Sequence, residues 1–209
     1  FRMVPAMYRA GRYAVEGDWS GASYLLAAGA IGPRPVRIEG LRADSLQGDR
    51  VMLDILRDMG ARIDIEPDAV TVHPSELRGV VADMSRCPDL VPTVAVVAAH
   101  ASGPTRLWNA AHLRIKECDR LAATTELIND LGGKAISTEN SIEIFPVEAF
   151  KGGTVRNYND HRIAMAGAVA ATRSTGEVII KGAECTNKSY PGFFDDFRAL
   201  GGIADVISV

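Results

Sequence analysis

Cysteine is scarce: Cys87, Cys118 and Cys185 are the only three in 209 residues. Their number is odd and none pairs at CxxC spacing. A disulfide framework or a cysteine zinc site is therefore not expected, and a reducing, cytoplasmic setting fits the chain best. The four histidines are scattered without metal-ligand spacing. Positive charge is not in excess. Lys and Arg number 23 against 26 Asp and Glu, for a net charge of −3. The basic footprint of a nucleic-acid binder is absent, although a local basic pocket for a small anion remains compatible with that balance. No apolar run approaches the roughly 20 residues that a membrane span requires, and no signal peptide is visible. The P-loop order of glycines and lysine, the dinucleotide-binding glycine pattern and the G-x-S-x-G nucleophile elbow are all missing.

An internal repeat is what the sequence does contain. Asp18, Asp89 and Asp160 are spaced 71 residues apart, and each precedes a small, apolar, helix-like run: ASYLLAAGAI, PTVAVVAAHA and IAMAGAVAATR. A β-like run follows in each copy (PVRIEG, PTRLWNA, EVIIKG), then a polar loop and an amphipathic helix that stops at Gly60, Gly132 or Gly201. Glycine there suits a left-handed C-cap, and aspartate before a helix suits an N-cap. ARIDIEPDAVTVHP and KAISTENSIEIFPV each read as two strands around a polar turn. The first helix of each copy is almost free of charge and should form the buried centre. An α/β domain follows, built of three repeated small α/β units with buried parallel helices and pseudo-threefold symmetry, the repeats lying near 17–77, 78–149 and 150–209. Residues 1–16 fall outside the repeat and read as a strand or crossover arriving from elsewhere.

Charged clusters decorate the copies unequally. LRIKECDRLAATTEL carries Arg114, Lys116, Glu117, Asp119 and Arg120 where a loop enters a helix. Free N–H groups, a positive helix end and cationic side chains would make an anion site there. Spacing alone favours a solvated helix start. NYNDHRIAMA places Asp160, His161 and Arg162 at another helix start. An arginine fork for carboxylate or phosphate and a capped, exposed first turn fit it equally. Lys188 in CTNKSYPGFFDDF reads as a solvated loop lysine, and Asp89 by periodicity as a cap.

Together these segments resemble the 5-enolpyruvylshikimate-3-phosphate synthase family. VEGDWSGASYLLAAGAI, LRIKECDRLAATTELINDLGG, NYNDHRIAMAGAVAA and ECTNKSYPGFFDDFRALGG match its EGD-SSASYFLAAA, LRVKESDR, YNDHRMAM and CTSKTFPDYFE segments in order and interval. The resemblance runs from Gly17 to the C-terminus, and the KExDR and NDHR pair is its most specific part. It implies the C-terminal domain (17–209) of a two-domain enolpyruvyl transferase. Residues 1–16 would be a crossover from an N-terminal domain that the chain lacks, and the start at Phe1 would mark a fragment.

The family moves the enolpyruvyl group of phosphoenolpyruvate to the 5-hydroxyl of shikimate 3-phosphate, with no metal and no organic cofactor. The resemblance implies that Glu117 is the general acid at the methylene carbon and Asp89 the acceptor of the hydroxyl proton. Arg120, Arg162 and Lys188 would hold phosphoenolpyruvate and the departing phosphate, with His161 lining the same pocket. Lys116 and His112 would lie near shikimate 3-phosphate, His112 standing where Asn is frequent. Cys118 replaces the usual Ser or Thr and has no catalytic role. The site would lie between two closing domains, so the isolated chain should be inactive. The related UDP-N-acetylglucosamine enolpyruvyl transferases, and a non-catalytic scaffold of the same fold, are the alternatives.

Overall fold

The computed structural model describes residues 2–207. Phe1, Ser208 and Val209, at the ends of the two expected domain ranges, lie outside the described residues. The three charge-poor runs fold into helices α1 (Trp19–Ile31), α3 (Val91–Ala98) and α5 (His161–Ala171). The amphipathic runs become α2 (Met52–Asp58), α4 (Arg120–Asp130) and α6 (Phe193–Ala199). Residues of α3 are buried all round, as a helix with no polar face requires. α1, α3 and α5 pack against one another and form the centre that the repeat predicts.

Gly60, Gly132 and Gly201 have φ of 97°, 86° and 97°. This left-handed conformation ends each second helix, and a Cβ would oppose it.

Around the helices, among the described residues, lie three sheets of unequal size. β1 (Val36–Glu39), β2 (Arg62–Ile65) and β3 (Ala69–His73) form the first, antiparallel in the order β1-β3-β2. The second has the order β4-β5-β7-β6. Its strands β5 (Thr105–Trp108), β6 (Lys134–Ser137) and β7 (Ser141–Phe145) repeat the first sheet, and β4 (Val81–Asp83) is added parallel to β5. The third holds only β8 (Gly153–Arg156) and β9 (Val178–Lys181), in parallel. β4 and β8 were not anticipated. They are three and four residues long, too short for a two-residue alternation to register.

Residues 2–18 contain no helix or strand, and residues 2–15 are exposed; the strand expected there is not formed. Among the described residues, no helix is long and apolar enough to cross a membrane.

Candidate active site

The repeat brings three helix starts together. Asp89 lies in the 3-10 turn Pro88–Leu90 before α3, Glu117 in the loop before α4, and Asp160 immediately before α5. Arg120, in the first turn of α4, has a side chain with no exposure and reaches all three. Its Nε donates to Asp160 Oδ2 at 2.8 Å, its Nη1 to Asp89 Oδ1 at 2.7 Å, and its Nη2 to Glu117 Oε2. A buried guanidinium is tolerable only when its charge and its donors find partners; here carboxylates from three segments balance the charge and each of the three nitrogens makes a hydrogen bond. The solvated helix start that spacing favoured is therefore not what forms.

Other cations close on the same carboxylates. Arg162 Nη2 lies 3.0 Å from Asp89 Oδ2, and Lys116 Nζ lies 3.7 Å from Asp89 Oδ1. Lys188 Nζ donates to Glu117 Oε1 at 3.3 Å. Burial pushes the Glu117 carboxyl upward, but its own backbone N–H, Arg120 and Lys188 outweigh that and hold it at about 2. His161 is 4 % exposed, not on an exposed turn. Burial, and then the charge of Arg162, lowers its pKa. Its Nδ1 is buried and has no hydrogen-bond partner among the described residues.

Asp89 is not a cap. No side-chain bond closes the 3-10 turn that contains it, and its oxygens go to Arg120, Arg162 and Lys116 instead. His112, in the turn Ala111–Ile115, is half-buried; among the described residues, no hydrogen bond or ion pair joins it to the cluster.

Periodicity assigned Asp160 a cap and nothing more. It does cap α5, its Oδ1 accepting the Arg162 N–H at 2.9 Å. It is also fully buried, and its second oxygen holds Arg120 and takes the Cys118 thiol at 3.6 Å. Tyr24 escaped sequence reasoning altogether. Its hydroxyl, on a side chain buried in α1, accepts from Arg162 Nη1 at 3.5 Å. Burial pushes that phenol up to about 12, so it stays neutral beside the arginine.

A cavity of about 430 Å³ opens beside the cluster, lined by Glu117, Tyr158, Asn159, Glu184, Cys185 and Lys188. The arrangement offers Arg162, Lys116 and Lys188 as cations for an anionic ligand, with Arg120 buried behind them, and two partly exposed carboxylates, Asp89 and Glu117, for proton transfer.

Known proteins match both the sequence and this architecture. A 3-phosphoshikimate 1-carboxyvinyltransferase of Clostridium kluyveri is 48% identical over 195 residues, covering 93% of this chain and 46% of the relative. The enzyme of the same name from Clostridium acetobutylicum is 47% identical, covering 91% and 44%. The solved EPSP synthase of Acinetobacter baumannii superposes with a TM-score of 0.82 at 27% identity, covering 93% of this chain and 48% of that one. The chain thus spans about half the length of the relatives it matches. Residues 3–197 match the family model described as EPSP synthase (3-phosphoshikimate 1-carboxyvinyltransferase), and the chain belongs to that family.

Proposed function

We propose that this chain is the C-terminal half of an enzyme that transfers the enolpyruvyl group of phosphoenolpyruvate to the 5-hydroxyl of shikimate 3-phosphate, releasing phosphate. In this reading residues 17–209 are the enolpyruvyl transferase domain and residues 1–16 the crossover from an N-terminal domain. The observation that carries it is the single buried Arg120 joined to Asp89, Glu117 and Asp160, with Arg162 and Lys188 as further cations on the same carboxylates.

Phosphoenolpyruvate carries a carboxylate and a phosphate. Arg120, Arg162 and Lys188 bind these through charge-assisted hydrogen bonds and neutralise the leaving phosphate. Lys116 and His112 face shikimate 3-phosphate, and His161 lines the pocket as a neutral imidazole. Asp89 takes the proton from the 5-hydroxyl. Glu117 gives a proton to the methylene carbon and recovers one in the elimination.

At about 2, Glu117 is ionised in the resting site and cannot donate. The anions of the substrates draw Lys188 and Arg120 away from it, and closure of the second domain removes water. Both changes raise the carboxyl toward the working pH.

The test is phosphate release from the two substrates by the chain alone and by the chain mixed with an N-terminal half. Turnover in the mixture only is the expected outcome. Turnover by the chain alone overturns the half-site account. An inactive full-length parent overturns the assignment.

A further inference from the structure

Asn157 is 6% exposed and uses both ends of its amide. Nδ2 donates to the carbonyls of Lys181 at 2.6 Å and Gly182 at 2.9 Å. Oδ1 accepts the backbone N–H of Asn159 at 2.9 Å, and the Asn157 carbonyl accepts that of Asp160 at 2.8 Å. Between them, Tyr158 and Asn159 are both left-handed, with φ of 53° and 58°. Asparagine tolerates that region, whereas a tyrosine Cβ crowds the following carbonyl. The turn is thus held by the bonds of Asn157 against the preference of Tyr158, and strain of this kind gathers where a site must be aimed.

Two parts of the site leave from the two ends of this amide. Asp160, His161 and Arg162 follow the turn directly and begin α5. Lys181 and Gly182 form the corner, left-handed at Gly182 with φ 66°, from which the turn Ala183–Lys188 departs. That turn carries Cys185 and Lys188, and the cavity bounded by Tyr158, Asn159, Cys185 and Lys188 lies between the two parts.

We propose that Asn157 is a positioning residue that sets the separation of the two walls of the anion site, the α5 start with neutral His161 and cationic Arg162 on one side and cationic Lys188 on the other. This rests on the anion-binding reading of those residues. Asn157 acts on them only through backbone, so its removal shifts binding more than chemistry.

Asn157→Asp keeps the acceptor for Asn159 and sets a carboxylate against two carbonyls. Asn157→Ser is the neutral control, short enough to keep the local acceptor and too short to reach Lys181. In the chain completed by its N-terminal half, both variants should raise the KM for phosphoenolpyruvate about tenfold with kcat within about twofold, the signature of lost ground-state binding. An unchanged KM in both, or a matching fall in kcat, overturns the proposal.

A second reading needs no substrate. Glu117 is faced by Arg120 from α4, Lys188 from the Ala183–Lys188 turn and His161 from α5. In the chain alone, followed by carboxyl NMR, Glu117 should titrate higher in Asn157→Ser than in the parent, in the direction of Lys188→Gln. If Lys188→Gln moves Glu117 and Asn157→Ser does not, Asn157 does not position that turn. Unfolding of both variants counts against the proposal too, since Asn157 would then hold the fold rather than the site. Should the completed enzyme release no phosphate, the enzymatic reading fails by itself, and the Glu117 titration still decides the role of Asn157.

Discussion

Asp18 and Asp160 occupy the same place in the first and third repeats, yet they differ in what their second oxygen does. At the start of α1, Asp18 gives one oxygen to the Ser20 N–H at 3.1 Å and the other to the Gly21 N–H at 2.8 Å. It is exposed, and both oxygens are committed to the helix. At the start of α5, Asp160 caps with one oxygen only and is fully buried, so the other is free for Arg120. Asp89, in the second repeat, has left capping altogether. Pro88 and a 3-10 turn begin its helix, and its carboxylate takes three cations. A duplicated scaffold thus becomes a site by releasing oxygens from helix ends one repeat at a time.

Removing Asp160 breaks the comparison most severely. Asp160→Ala leaves Arg120 buried with one carboxylate fewer and uncaps α5. Breaking a buried pair costs about 3–5 kcal/mol, to be read from urea unfolding. Asp160→Asn sharpens the result: its amide oxygen can still accept the Arg162 N–H but cannot balance Arg120. A variant as stable as the parent would mean that capping is all Asp160 does.

Asp89→Asn should separate chemistry from stability. Arg120 keeps two carboxylates, and Asp89 has a side-chain exposure of 28%, so the loss of stability should be smaller than for Asp160→Ala. In the completed enzyme, turnover should fall by about 10²–10⁴-fold, the usual worth of a positioned proton acceptor. Unaltered turnover would remove Asp89 from the chemistry.

Glu117 predicts the sign of a pH effect. Its folded pKa, about 2, lies below the ordinary value of 4.5. The stability this confers is present above 4.5 and is lost as pH falls toward 2. Glu117→Gln should lower stability above that window, where the ionised carboxylate contributes, and flatten the profile within it, so that variant and parent converge as pH falls toward 2. An unchanged acid limb would mean that Lys188 and Arg120 do not hold the carboxylate in solution.

Much of the fold was legible because it is local and repeated. Three apolar helices, three glycine stops and two hairpins each leave a periodic mark. β4 and β8 left none, since they exist only by parallel pairing with β5 and β9. The third repeat also departs from its own pattern: residues 203–207 follow Gly201 as residues 62–65 follow Gly60, yet form no strand. At the site, spacing and periodicity named the residues but not their convergence, which only the family resemblance implied. Asp89, Glu117 and Asp160 come from separate helix starts, and an arginine opening a helix reads as solvated until three carboxylates are seen around it. Periodicity misread Asp89 as a cap because it reports position in a repeat, whereas capping depends on where the side-chain oxygens point.

The smallest effect belongs to Asp18. Asp18→Ala removes two hydrogen bonds from an exposed helix end, and losing such a cap costs about 0.5–2 kcal/mol. The charge near the α1 N-terminus disappears with it, a contribution that salt should screen. Stability should therefore drop by roughly that amount, and less so at high salt, with KM for phosphoenolpyruvate in the completed enzyme unchanged. The matched measurement is Asp160→Ala in the same salt series. Its loss should persist at high salt, because Arg120 and Asp160 have side chains with no exposure and ions do not reach them. Equal salt sensitivity in the two variants would erase the distinction between a capping aspartate and one that has been drawn into the site.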